Sequence, residues 1–149
     1  MLKDVYNEST SVQLQSAGTA LSADADSTAV DLWDYPGGHG GVSFYAMVGT
    51  TTETLDGSNY WEVRVEESDD NSTFTAAPNA DLSNYVTGTQ AVAGTFALID
   101  AAAEDDLTYS THYHGSKRYV RVTCDETGTG GIAIGILAII GGKTYAAGA

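Results

Sequence analysis

The chain is short of cations, cysteine and long apolar segments, and each shortage excludes a class of protein. Only six of its 149 residues are Lys or Arg, against twenty Asp and Glu, which gives a formal net charge of -14. Such a chain would repel a phosphate backbone, so we do not expect it to bind nucleic acid. Cys124 is the single cysteine, so no intrachain disulfide can form, and we expect folding in a reducing compartment.

Export and membrane insertion are not expected either. The N-terminal segment MLKDVYNEST lacks the apolar core of a signal peptide. The longest apolar run, residues 132–140, is about half as long as a membrane-spanning helix needs to be. We therefore expect a soluble protein without an export signal.

What the sequence does contain is period-two alternation of apolar and polar residues, together with many Thr, Val, Tyr and Gly. About eight or nine short strands follow one another at intervals of roughly 8–12 residues, which predicts an all-β fold, a β-sandwich of jelly-roll type. We divide the chain into residues 1–28, an N-terminal arm or short strand, and residues 29–149, a single β-sandwich domain. A short helical turn is possible within residues 101–106.

Two segments stand out. Residues 60–74 read YWEVRVEESDDNSTF, a strand that ends in an acidic turn and begins a return strand. Residues 115–124 read GSKRYVRVTC and hold Lys117, Arg118 and Arg121, half of all the cations. These cations could pair with an acidic surface on a neighbouring copy or another partner. The alternative is an internal match to Glu62, Glu66 and Glu67.

The last strand is apolar on both faces. One face carries Ile132, Ile134 and Ile136, and the other carries Leu137 and Ile139. Such a strand must be covered on both sides, either by another subunit or by a loop or the N-terminal segment. We therefore place a candidate interface at these five residues and at the three clustered cations.

No residue pattern predicts catalysis, a bound cofactor or a metal site. Serines occur in no G-x-S-x-G context, the glycine runs lack the phosphate-loop pattern, and Cys124 reads as a core residue. His112 and His114 share one strand face, but His39 lies in a distant glycine loop. Three acidic pairs could contribute oxygen ligands to calcium, although none follows the EF-hand pattern. They are Asp69 with Asp70, Asp24 with Asp26, and Asp125 with Glu126.

Several aromatic side chains are candidates for a sugar-stacking platform or an interface anchor. They are Trp33, Tyr35, Tyr45, Tyr60, Tyr85 and Tyr119. The same residues are equally ordinary in the core and edges of a small β domain, so the sequence leaves their role open.

Residues 30–140 resemble small virion structural proteins of tailed bacteriophages and gene-transfer particles. The resemblance lies in EESDDNSTF, in GSKRYVRV and in the closing Gly-rich and Ile-rich strand. It implies a non-enzymatic protein that folds in the host cytoplasm and binds the outer surface of the major capsid protein as a decoration or cement protein. It also implies a homo-oligomer, with a trimer favoured, on the capsid exterior.

Two alternatives remain open at this point. The chain could be another virion component, such as a head fibre or a tail protein. It could also be a carbohydrate-binding jelly-roll module, because discoidin-like modules carry strands similar to KRYVRV and bind glycans through loop aromatics.

Overall fold

The computed structural model describes residues 9–18, 20–35 and 41–141. In this part the chain forms ten β-strands and no α-helix, which confirms the all-β prediction. The strands are β1 (Ser9–Gln15), β2 (Ala25–Asp26), β3 (Val30–Asp31), β4 (Val42–Thr51), β5 (Tyr60–Ser68), β6 (Thr75–Ala76), β7 (Thr95–Ile99), β8 (Thr108–Tyr113), β9 (Tyr119–Thr127) and β10 (Ile132–Gly141).

Four strands form one antiparallel sheet, in the order β1-β10-β4-β8. The apolar strand β10 is therefore internal, and β1 and β8 are the edges. Opposite β10, Leu137 pairs with Gln13 of β1 and with Tyr45 of β4, while Ile139 pairs with Ser11 and Ser43. A register shift between Gln13 and Gln15 places a bulge near the end of β1.

The other six strands form a second antiparallel sheet around the central pair β5 and β9. This pairing runs from Tyr60 opposite Thr127 to Ser68 opposite Tyr119, so the two segments that stand out in the sequence lie side by side. Strand β6 pairs with the end of β5 across the acidic turn, which confirms the predicted hairpin. Strands β2 and β3 flank β9, and β7 flanks β5.

Alternation along the strands turns the apolar side chains of both sheets toward each other. Buried residues of the two sheets form a single cluster, with Phe44 and Ile134 from one sheet and Trp61, Val63 and Val122 from the other, all at 0% exposure. Two sheets around one core are consistent with a β-sandwich. From β3 to β5 and from β7 to β10 the chain alternates between the sheets in a way that supports jelly-roll connectivity, which itself stays a prediction.

Some local expectations change. Residues 101–106, where a helical turn was considered, form turns and bends in which the Glu104 N–H donates to the Ala101 carbonyl at 3.0 Å. Within the predicted N-terminal arm, β1 and β2 belong to the sheets. Residues 1–8, and His39 with the glycine turn at residues 36–40, lie outside the described residues.

Candidate functional site

All three cations of the GSKRYVRVTC segment have acidic partners within the chain. Arg118 donates to the Asp31 carboxylate from Nε at 3.0 Å and from Nη2 at 2.7 Å. Arg121 lies between Asp26 and Glu66, at 2.8 Å and 2.7 Å. Lys117 forms an ion pair with Asp69. These contacts support the internal charge match at Glu66, while Glu62 and Glu67 have other partners.

The register of β5 against β9 explains the charge row, which consists of Arg64, Glu66, Arg121 and Asp125. Antiparallel pairing sets Glu66 directly opposite Arg121, and Arg64 of β5 reaches both Asp125 of β9 and Glu66. The row is partly shielded from water, with 13% side-chain exposure at Glu66 and 23% at Arg121. Cross-strand pairs of opposite charge favour this register, each by roughly 0.2–1 kcal/mol.

Arg118 also sits against two aromatic rings. Its guanidinium carbon is 4.7 Å from the ring centre of Trp33 and 4.7 Å from that of Tyr119, within the range of a cation–π contact. Hydrogen bonds from Arg118 hold the pKa of Asp31 below its usual range, and the pKa of Arg118 is raised in turn. Trp33 nevertheless leaves 63% of its surface exposed.

The predicted interface on β10 divides between its two faces. Ile132, Ile134 and Ile136 have 0% exposure and pack in the chain's own core, so their assignment to an interface is wrong: these side chains face the second sheet. Leu137 and Ile139 point the other way and are only partly buried. Of the five apolar residues, these two remain available to a partner.

Leu137 and Ile139 belong to a larger surface, the outer face of the four-stranded sheet. An apolar stripe of Tyr45, Met47, Leu137 and Ile139 runs across it, with Met47 exposed to 41%. Ala17 packs over Gly135, and only a residue without a side chain leaves room for it there. A Cβ at position 135 would lie only 3.0 Å from the Ala17 Cβ. The rest of this outer face is neutral. It consists of Ser11, Gln13, Ser43, Thr108, Ser110, His112 and Ala133.

Charge is divided sharply between the two sheets. Strands β1, β4, β8 and β10 contain no Asp, Glu, Lys or Arg at all. The six-stranded sheet contains Asp26, Asp31, Glu62, Arg64, Glu66, Glu67, Arg121, Asp125 and Glu126. A chain with net charge -14 therefore presents one neutral sheet and one densely charged sheet.

The acidic pairs considered for calcium make other contacts. Asp70 accepts backbone hydrogen bonds from Ser72 and Thr73 at 2.9 and 2.8 Å and one from the Ser68 hydroxyl, which together lower its pKa to about 2. Its carboxylate therefore closes the turn, beside a cleft of about 260 Å³. Asp125 pairs with Arg64. Within residues 9–18, 20–35 and 41–141, no group of three His, Cys, Asp or Glu could hold a metal ion.

The two histidines and Cys124 also have local roles. The rings of His112 and His114 are 6.4 Å apart, and His112 Nδ1 lies 2.9 Å from the Ser43 hydroxyl across the β4–β8 pair. Sequence reasoning missed the contact between Ser43 and His112, because only the register of β4 against β8 brings these two residues together. Burial raises the pKa of the Cys124 thiol to about 12, so it is an inert core residue.

Comparison with known protein families, with curated proteins and with solved structures finds no match. Within the described residues, no helix is long and apolar enough to span a membrane.

Proposed function

We propose that this chain is a non-enzymatic virion structural protein that binds the outer surface of a phage capsid as a decoration or cement protein. The observation that carries the proposal is the division of charge between the two sheets. The neutral four-stranded sheet faces the shell, and the charged six-stranded sheet faces solvent. The resemblance of residues 30–140 to small phage virion proteins supplies the capsid as the partner.

Desolvation decides which sheet docks. The charged sheet carries ion pairs that are partly hydrated, and burying them against a partner would cost several kcal/mol per ion unless every charge were matched. The outer face of the four-stranded sheet carries no such charges. Its apolar stripe is bordered by Ser, Thr and Gln, an arrangement similar to the apolar centre and polar rim of protein interfaces.

Binding through this face accounts for a cementing role. A protein that binds only the assembled shell stabilises that shell by mass action, in proportion to its affinity. Placed between capsomers, it opposes their separation under the internal pressure of packaged DNA. Strong negative charge on the outward sheet keeps decorated particles apart in solution.

The test is co-sedimentation with purified shells of a phage major capsid protein. We expect saturable binding of the wild-type chain and a loss of at least about tenfold in affinity for Leu137→Glu, because the substitution buries a charge in the docked face. Ala101→Glu is the matched control: it adds the same charge at an exposed turn and should bind as the wild type does. No binding by the wild type, or equal binding by Leu137→Glu, would reject the proposal.

Glycan binding is the second candidate, and the exposure of Trp33 favours it. The ring is 63% exposed, is held against Arg118 and lies two residues from Asp31, whose carboxylate could accept hydrogen bonds from sugar hydroxyls. A glycan array should then give saturable hits that disappear in Trp33→Ala. Hits that persist in this variant, or none at all, would exclude the platform.

A further inference from the structure

The edge strands of the two sheets differ in how far other parts of the chain cover them. Edge strand β8 is covered by residues 81–84: the Ser83 N–H donates to the His112 carbonyl at 3.0 Å, and the His114 N–H donates to the Asp81 carbonyl at 2.9 Å. The Thr111 hydroxyl donates to the Asn84 carbonyl at 2.7 Å. This cover removes β8 as a template for another strand.

The edges of the six-stranded sheet are also protected. On the β9 side, β2 and β3 are two residues long, and on the β5 side β6 is equally short. Strand β7 is longer, but Thr95, Phe96 and Ala97 have 0–4% exposure, so surrounding chain covers them. Short strands and buried strands both prevent edge-to-edge pairing.

Within the described part of the chain, residues 10–13 of strand β1 have neither kind of protection. It is seven residues long, contains no charge and no proline, and six of its seven residues are partly or fully exposed. Along residues 10–15 of this strand, the described part of the chain makes one backbone hydrogen bond at the outer edge, from the Thr28 N–H to the Leu14 carbonyl at 3.3 Å. In an antiparallel sheet alternate residues of an edge strand point their N–H and C=O groups away from the neighbouring strand. Within residues 10–13, every second residue therefore presents backbone groups that have no partner among the described residues.

We infer that β1 pairs with β1 of a second copy of this chain. Antiparallel pairing about a two-fold axis perpendicular to the sheet would join two four-stranded sheets into one continuous sheet of eight strands. A strand edge paired with itself is a closed, isologous contact, so it yields a dimer and not the trimer that the resemblance implies. The contact stands apart from capsid binding, because it uses the edge of the sheet and leaves its outer face free.

Charge favours a second copy as the occupant. Two chains of net charge -14 repel each other, and the repulsion is weakest where no charged side chain approaches its equivalent. Pairing at β1 brings together two neutral sheets and keeps both charged sheets on the far side. The joined outer faces also double the neutral surface.

Sedimentation velocity over a range of protein concentrations tests the dimer. We expect a monomer–dimer equilibrium whose dissociation constant rises about tenfold or more in the double variant Ser11→Glu/Gln13→Glu, because both exposed side chains would then place like charges across the two-fold axis. The matched control is Thr87→Glu/Thr89→Glu, which adds the same charge in an exposed loop and should leave the constant unchanged.

Hydrogen exchange of the full-length chain provides a second readout. In the dimer, amides within residues 10–13 should exchange more slowly at high protein concentration than at low concentration, while those of the covered strand β8 should not change. A chain that stays monomeric, an oligomer that both double variants weaken equally, or exchange at residues 10–13 that is independent of concentration would overturn the inference. Since none of these results involves capsids, failure here is distinguishable from failure to bind a shell.

Discussion

Tyr113 and Glu67 form a buried polar contact between the two sheets. The Tyr113 hydroxyl donates to Glu67 Oε2 at 2.7 Å and accepts from the Lys117 N–H at 3.2 Å. Both residues are buried, with 0% exposure for Tyr113 and 7% for Glu67. Burial and the Glu67 carboxylate raise the pKa of Tyr113, so the hydroxyl remains a donor over the whole physiological range.

Tyr113→Phe should lower the free energy of unfolding by about 1–3 kcal/mol, because it leaves the buried Glu67 carboxylate without its tyrosine partner. Urea denaturation at neutral pH measures the change. Tyr85→Phe, at an exposed tyrosine, is the control and should shift stability by less than about 0.5 kcal/mol. Equal effects of the two substitutions would show that this contact is not a stabilising one.

Asp70 gives the acidic turn a pH dependence with a definite sign. Its pKa is lowered from 3.8 to about 2 by the Thr73 and Ser72 N–H groups and the Ser68 hydroxyl, which bind the charged carboxylate in the folded state. The stabilisation is therefore fully present well above pH 3.8 and is lost as the pH falls through this value toward 2.

We expect the stability difference between the wild type and Asp70→Ala to be constant above about pH 5 and to shrink steadily as the pH is lowered toward 2. Carbon-detected NMR titration of Asp70 gives the pKa directly. A titration midpoint for Asp70 near 3.8 would contradict the hydrogen-bonded turn.

At the scale of elements, β10 has one face in the core and one face toward solvent or a partner. Ile134 is fully buried between the sheets, whereas Ile139 lies partly buried on the outer face. Truncation of Ile134 leaves a cavity in the core. Truncation of Ile139 removes a side chain that already contacts solvent on one side, so no enclosed cavity forms.

Ile134→Ala should therefore destabilise the isolated chain by about 2–5 kcal/mol, and Ile139→Ala by less than about 1 kcal/mol. Thermal and urea unfolding of the two variants under identical conditions measure both values. The two substitutions remove the same atoms from two positions of one strand, so each controls for the other. A larger loss at Ile139 would mean that the two faces of β10 are reversed.

The periodicity of the sequence predicts the strands, but it does not predict which strands pair with each other. Alternation at Trp61, Val63 and Val65 predicts a strand and its buried face, because the side-chain period of a strand is two. It carries no information on which strands pair. The Arg121–Glu66 match could be considered only as one of two options, and the Ser43–His112 contact was not visible at all, since both depend on register.

The apolar strand shows the same limit. A run with apolar residues on both faces predicts that both are covered, but one face of β10 packs on the second sheet and the other forms the open outer face with Tyr45 and Met47. The neutrality of that face became visible only after four strands distant in sequence were placed in one sheet. The two-residue period belongs to each strand by itself, whereas the order of the strands in a sheet depends on how the whole core packs.

The molecule as a whole separates its charges between two sheets that share one core. Arg64, Arg118 and Arg121 form ion pairs with carboxylates of the six-stranded sheet. The four strands of the other sheet contain no cation. The net negative charge of the described residues therefore lies on the six-stranded sheet and in the loops. Such a molecule has a side suited to contact and a side suited to water.

The most direct test is a cryo-EM reconstruction of the decorated capsid at a resolution that shows strand direction. We expect the outer face of β1, β10, β4 and β8 to lie against the shell, with Leu137 and Tyr45 in the contact and the Arg121–Glu66 row facing solvent. A reconstruction in which the six-stranded sheet lies against the shell and Leu137 faces solvent would contradict it.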